Sequence, residues 1–366
     1  MCTPTKALIF PYNFSFASML RQIKKQGSFD IVSAVTLGKW CEYNCDSSFL
    51  DEGPVIDVPL RNNLIEELFY VDVVIWASQN YSNNYELFEI VKSEIMLVLQ
   101  KGKNVICCQQ LSIEEIAHFT KVAMENKCEF YYDISTKSDY QTVPSVSNKQ
   151  ITIPVIVVSG IFDHCQVLDV VFYLKNNLTA DNYHVSVIAP TLSANIVNCY
   201  SFFDLFNFSE PNGNRRIIDF QNAIRAIQDV DEPDAILIGL PNNLLVFNEQ
   251  YPGDYGILAF EFFNAIHPDV SIVCVDCDSY SPDFEKKLLN IMNYRFNVDV
   301  DAICVSSVGI NPDCLELDIF TAPEYNVYSL DDAIRKTKDK GEKDTYIIND
   351  EKSMLFLEQK IITLLT

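Results

Sequence analysis

Residues 233–263 read PDAILIGLPNNLLVFNEQYPGDYGILAFEFF, and this stretch decides the fold. Ala235–Gly239 is a short, unbroken apolar run, the pattern of a strand covered on both faces. The five residues from the last of that run, Gly239-Leu240-Pro241-Asn242-Asn243, concentrate turn formers and predict a turn. Tyr255–Ile266 then carries apolar residues at helical spacing. Strand, polar turn and helix form the repeating unit of an α/β sheet, whose ligands sit in the crevice at the strands' carboxyl ends. The stretch therefore predicts a doubly wound α/β domain with Gly239, Pro241, Asn242 and Asn243 beside its crevice.

The same alternation extends in both directions. In the second half, strands are expected at Ile153–Val158, His184–Ala189, Val270–Val275, Asp301–Ser306 and Thr345–Ile348. Helices are expected at 164–177, 215–230, 283–294, 330–338 and 351–365. In the first half, Lys6–Phe10, Phe29–Leu37, Val55–Leu60, Val71–Ala77, Asn104–Cys108 and Cys128–Tyr132 read as extended. Between them lie a helix closed by Gly27, a short helix at 62–69, a long one at 84–100, and one opened by the capping box of Ser112 and Glu115. The expectation is two doubly wound α/β domains. Residues 1–140 are Rossmann- or flavodoxin-like, and residues 151–366 are P-loop-like with a degenerate phosphate loop. Residues 133–150, rich in Ser, Thr, Lys and Asp, are the expected linker.

The totals agree with this. A chain of 366 residues exceeds one ordinary core, and 48% hydrophobic residues with 24 Phe and 18 Tyr supply the apolar surface for two. A net charge of −23 disfavours nucleic acid and anionic membranes; it suits a generic solvated acidic surface, the simpler reading, or a basic partner such as a peptide. No run is long enough to span a bilayer, and the N-terminus lacks the pattern of a signal peptide, so a cytoplasmic protein with mostly reduced cysteines is expected.

Candidate chemistry concentrates at strand ends. Ser159-Gly160-Ile161-Phe162-Asp163-His164 stands where a phosphate loop would be, but has one glycine, no lysine and an acidic residue facing the phosphates. The phosphate-loop signature is absent, so no cofactor is assigned, although the frame is that of a nucleotide site. Asp276 and Asp278 close another strand; with Asp283 they form either a ledge of hard oxygen ligands or, through Asp283, a helix cap. No metal is assigned. Cys274 and Cys277 make a C-x-x-C whose first member lies in the apolar run SIVCV, so packing is the simpler reading. Cys41 and Cys45, in a polar loop beside Lys39, are the redox candidates. Among the histidines, His164 alone sits at a strand–turn–helix junction suited to acid–base work, with packing at the helix start the simpler reading; His118, His184 and His267 do not.

Four segments resemble one family. Leu8–Gln22, Ile31–Trp40, the span PDAILIGLPNN…SIVC at 233–274, and NYRFNVDVDAICVSS at 293–307 look like the peptide maturation system proteins of clostridia and relatives. The resemblance implies a gene neighbourhood holding a radical-SAM maturase and a small bacteriocin-like precursor peptide, and an accessory role in making a ribosomally synthesised, modified peptide. The alternative it leaves open is a pathway enzyme with a small-molecule or nucleotide site at the carboxyl strand ends. Where the family typically has Gly-Ile-Pro-Gly-Gly, this chain has Gly239-Leu240-Pro241-Asn242-Asn243. Its 159–164 turn is also poorer in glycine and lacks the family's lysine.

Overall fold

A computed structural model describes residues 4–38, 45–78, 85–132, 150–205, 213–246, 255–310, 325–337, 341 and 343–365. Contacts divide the chain into two compact units, residues 1–136 with 195–197 and residues 137–194 with 198–366. The proposed linker at 133–150 lies, but for residue 150, outside the described residues.

The first unit is built on six strands: β1 (Thr5–Phe10), β2 (Phe29–Val35), β3 (Leu60–Arg61), β4 (Val73–Trp76), β5 (Asn104–Cys107) and β6 (Phe130–Tyr131). They pair in parallel in the order β3-β2-β1-β4-β5-β6, the strand order of dinucleotide-binding folds. The helices are α1 (Ala17–Gln26), α2 (Leu64–Glu67), α3 (Tyr85–Gln100) and α4 (Ile113–Glu125). Gly27 ends α1 with φ 68°, which a residue without Cβ adopts at no steric cost. The Ser112–Glu115 capping box opens α4. Trp76 anchors the core between Phe88 and Phe119, at centroid distances of 6.3 and 5.5 Å. Val55–Leu60, expected to be extended, enters the sheet only at Leu60. The preceding residues are instead gathered by Asp46, whose carboxylate accepts from the N–H groups of Ser48, Ile56 and Val58, each at 3.0 Å.

That clamp sets a pH dependence. Burial pushes the Asp46 carboxyl up, but the hydrogen bonds to it outweigh this and bring it down from 3.8 to about 2. A depressed carboxyl contributes stability that is complete above its unfolded pKa and lost as pH falls through the folded one. The full shift corresponds to about 2.4 kcal/mol; for a group this exposed, screening reduces it to about 1 kcal/mol. Asp46→Asn is therefore expected to destabilise the first unit by about 1 kcal/mol at pH 7, with the gap closing between about pH 4 and 2. Urea unfolding followed by tryptophan fluorescence reads this unit alone, since both tryptophans, Trp40 and Trp76, precede residue 136. A gap independent of pH would contradict the clamp.

The second unit carries a seven-stranded parallel sheet. Its strands are β7 (Val155–Gly160), β8 (Val185–Ala189), β9 (Tyr200–Ser201), β10 (Ala235–Asn243), β11 (Val270–Asp276) and β12 (Ala302–Ser306). After β12 the chain forms β13 (Val308–Ile310) and β14 (Tyr325–Val327), an antiparallel pair outside the sheet, and then β15 (Thr345–Ile347). The order is β15-β12-β11-β7-β10-β8-β9. Every residue of β7 and β11 is buried, as expected for strands with helices on both faces. The helices are α5 (Val167–Ala180), α6 (Phe202–Leu205), α7 (Gly213–Asp231), α8 (Ile257–Ala265), α9 (Pro282–Phe296), α10 (Leu330–Lys336) and α11 (Glu351–Leu365). From β7 the chain moves out to β8, returns to β10 beside β7, then crosses to β11 on the other side. This reversal makes the carboxyl ends of β10, β7 and β11 the switch-point crevice of the sheet.

Two sequence expectations fail here. The turn predicted at 239–243 is absent: β10 runs on through Pro241, and Asn243 pairs with Gly160 across a register shift that absorbs the additional residues. The cap of α9 is Ser281, whose Oγ accepts from the Phe284 N–H at 3.2 Å. Asp283 lies in the first turn instead, where its charge favours the helix dipole.

Candidate functional site at the carboxyl ends of the second sheet

The residue after β7 explains why α5 starts at Val167 rather than at His164. Ile161 donates its N–H to the Cys274 carbonyl (3.0 Å), and Cys165 donates to Phe162 (3.2 Å), so the chain folds back on itself before the helix begins. Gln166 then takes a left-handed conformation with φ 54°. Its side-chain carbonyl is held by the Ser306 Oγ (2.8 Å), the Ser307 N–H (3.0 Å) and the Ser307 Oγ (3.3 Å). A Cβ at Gly160 would lie 2.8 Å from the Phe162 carbonyl and 3.0 Å from a Val167 methyl, so the tight return requires glycine.

Two of the loop's N–H groups are not available to a phosphate. A phosphate loop works through free backbone N–H groups, and those of Ile161 and Cys165 are committed to carbonyls of the protein. Side chains fill the space: Ile161, Phe162, His164 and Cys165 are all buried, whereas Asp163 is exposed.

The fold-back brings together groups far apart in sequence. One ligating atom each of His164, Cys165 and Asp276 lies within 4.8 Å of the others, and all three residues are buried. His164 is 6% exposed, and neither ring nitrogen has a hydrogen-bond partner among the described residues. Its ring stacks on Phe162 at 5.8 Å and lies 4.3 Å from Tyr325 of β14. Burial alone pushes the imidazole down to about 3, so it is neutral at physiological pH.

Asp276 is fully buried at the end of β11. Its Oδ1 accepts from the N–H groups of Asp278 (3.1 Å) and Ser279 (2.8 Å), while Oδ2 has no partner among the described residues. Burial pushes this carboxyl up, against the hydrogen bonds from Ser279 and Asp278. The Cys165 thiol is raised by burial as well. The Asn243 Oδ1, across the crevice strand from Gly160, is another buried acceptor without a partner among the described residues.

The remaining candidates separate. Asp278 turns to other partners, accepting from the Tyr328 hydroxyl (3.0 Å) and the Lys336 ammonium (2.5 Å), so Asp276, Asp278 and Asp283 form no common ledge. Ser159 is buried within β7 and donates to the Ile272 carbonyl at 3.4 Å. Gly239 faces Pro190: a Cβ there would meet its ring at 2.6 Å. Pro241 is buried, and the Asn242 side chain lies outside the described residues. Cys274 and Cys277 are core residues; burial pushes Cys277 to about 12 and Cys274 well above its ordinary value, so neither supplies a reactive thiolate. Cys45 is half-buried, and Cys41 lies outside the described residues. The sequence reading missed Cys165. Its one signal was a His-Cys pair directly after a buried strand, and nothing local ties that pair to Asp276. A mostly apolar groove of about 640 Å³ lined by Leu245, Val246, Asn290, Ile291, Tyr294 and Arg295 shares no residue with the cluster.

Fold and site together define a two-domain α/β protein, Rossmann-like in its first unit, whose second unit has a P-loop-like frame with a closed loop and a buried polar cluster. A DUF1611 family protein from Anabaena variabilis has a similar fold over 98% of this chain and 99% of its own, with a TM-score of 0.60 and 10% identity. At that identity the likeness concerns fold alone. An apo-form GTPase from Pyrococcus abyssi aligns with 57% of this chain and 96% of its own, at a TM-score of 0.28 and 12% identity. A dipicolinate-bound dihydrodipicolinate reductase from Paenisporosarcina aligns with 65% and 79%, at 0.27 and 11%. Scores this low carry no argument. No family model matches the chain, and no curated protein matches it. No helix among the described residues is long and apolar enough to cross a membrane.

Proposed function

We propose that the protein is an accessory factor in the maturation of a ribosomally synthesised, modified peptide, binding the precursor peptide or the radical-SAM maturase in the cytoplasm. The observation that carries this reading is the closed loop at 160–166. The second unit has a P-loop-like strand frame, and the N–H groups of Ile161 and Cys165 in its first loop are bonded to carbonyls of the protein, which supports the reading. A frame with its first loop closed in this way suits a binding module. The sequence resemblance supplies the pathway, and the net charge of −23 supplies attraction for a basic peptide.

The test is co-purification of the tagged chain with the cognate precursor and maturase at two salt concentrations. One or both are expected to be retained, with peptide retention falling as salt rises, because exposed charges are screened over about 8 Å at physiological ionic strength. Recovery of neither would sink the reading.

A second reading, a pathway enzyme acting at the crevice, is favoured by one observation: the unpartnered polar atoms of His164, Asn243 and Asp276 near the switch point. It requires that Asp276→Ala abolish mature product while the protein stays folded. Full product from that variant would remove it.

A further inference from the structure

The buried cluster has the composition of a metal site, and we propose that His164, Cys165 and Asp276 bind a single Zn²⁺-type divalent ion, leaving one coordination position open. The inference is independent of the peptide-maturation reading and holds whether or not the chain is an enzyme.

The donor set decides the class of ion. One imidazole, one thiol and one carboxylate match the N, S and O ligands of zinc, and three protein ligands with a free fourth position is the arrangement of open zinc sites. Hard ions such as Mg²⁺ are held by oxygen alone, so the thiol and imidazole exclude them. Bonds of about 2.0–2.3 Å place tetrahedral ligand atoms roughly 3.3–3.8 Å apart. The ligating atoms, now within 4.8 Å of one another, would close by up to about 1–1.5 Å on binding.

Charge balance points the same way. A neutral imidazole, a thiolate and a carboxylate sum to −2, which a divalent cation neutralises, so the complex can be buried without the cost of an unpaired charge. On binding, the Cys165 thiol loses its proton to the buffer and any proton on Asp276 follows, as metal binding at protonated ligands requires. Without such a partner, an imidazole with two unbonded nitrogens and a carboxylate with an unbonded oxygen remain buried side by side, a costly arrangement.

Supports are in place for Asp276 and for the chain after Cys165, whereas the His164 ring is held by packing and its non-ligating nitrogen has no partner among the described residues. The N–H groups of Asp278 and Ser279 hold one Asp276 oxygen and leave the other for the ion. Phe162 and Tyr325 flank the His164 ring. The three hydrogen bonds to Gln166 from Ser306 and Ser307 fix the chain immediately after Cys165. Orientation by surrounding groups is what tunes metal ligands. Asp278, committed to Tyr328 and Lys336, and Cys277, outside the cluster, are not ligands.

The experiment titrates Co²⁺ into the full chain after chelator treatment, under reducing conditions. A thiolate-to-cobalt charge-transfer band in the near ultraviolet is expected to saturate at one equivalent, to be displaced by Zn²⁺, and to be untouched by Mg²⁺. Cys165→Ala should abolish it with the circular dichroism unchanged. Asp276→Asn, which preserves size, should weaken affinity on the order of 10–100-fold. Absence of the band in the wild-type chain overturns the proposal. So does a band that survives Cys165→Ala, which would assign it to other cysteines. If Cys165→Ala does not fold, Asp276→Asn decides, and unchanged cobalt affinity in that variant overturns the proposal equally.

Discussion

Arg216→Met is expected to destabilise the second domain by about 3 kcal/mol, the cost of stripping a buried carboxylate of its partner. Arg216 on α7 meets Glu261 on α8 in a two-pronged pair, Nε to Oε2 at 2.6 Å and Nη2 to Oε1 at 2.7 Å. Their side chains are 18% and 10% exposed, so water replaces little of what the guanidinium supplies. Gly213 adds to the confinement, because a Cβ there would lie 2.6 Å from the Glu261 Oε1. The pair itself need not be worth much against an apolar substitute, since desolvation offsets most of its attraction. Arg216→Met/Glu261→Leu is therefore expected to recover most of the loss. For a domain of this size, 3 kcal/mol corresponds to a midpoint shift of about 6–12 °C. The readout is circular dichroism beside tryptophan fluorescence. The first should move while the second, confined to the first unit, stays. Equal losses in the single and double variants would contradict the account.

Phe262→Ala is expected to cost more, about 3–5 kcal/mol, because it empties the centre of an aromatic cluster. Phe262 is fully buried, and its ring lies 5.9 Å from Phe202, 5.3 Å from Phe220 and 6.2 Å from Phe263. Each such pair adds about 0.5–1.5 kcal/mol beyond area burial. The cluster ties α6, α7 and α8 together on one side of β10, the strand that carries Asn243 to the crevice. A control is Tyr294→Ala on α9: Tyr294 is 86% exposed, and a loss within about 0.5 kcal/mol is expected. The circular-dichroism transition of Phe262→Ala should fall well below that of the control. Comparable transitions would mean the cluster packs otherwise than described.

Much of the fold was legible because its central strands are parallel and covered on both faces. Val155–Val158, Ala235–Gly239 and Val270–Val275 are continuous apolar runs that no solvent-facing strand would carry. The capping box at Ser112 was legible for a local reason, a serine and a glutamate three residues apart. What failed was decided by distant partners. Gly239–Asn243 has the composition of a turn, yet Asn243 finds a partner in Gly160 and the strand continues. Asp283 was a reasonable cap, but Ser281 one residue before the helix reaches the Phe284 N–H first. The β13–β14 pair escaped notice because each strand has three residues, too few to show a period.

The site was half legible for the same reason. His164 and Asp276 were singled out separately, each as a polar residue after a buried strand. Their meeting depends on β7 and β11 being neighbours at the switch point, which no local pattern states. Cys165 then enters by adjacency, carried inward by the Cys165–Phe162 hydrogen bond.

The central proposal is that the second domain, with its P-loop-like frame, recognises a peptide or protein partner rather than a nucleotide. Calorimetric titration of the full chain tests it, with the cognate precursor peptide in one series and ATP or GTP with Mg²⁺ in another. Saturable heat with the peptide, weakening as salt rises, and none with either nucleotide is the predicted result. Saturable nucleotide binding with no response to the peptide would contradict the account.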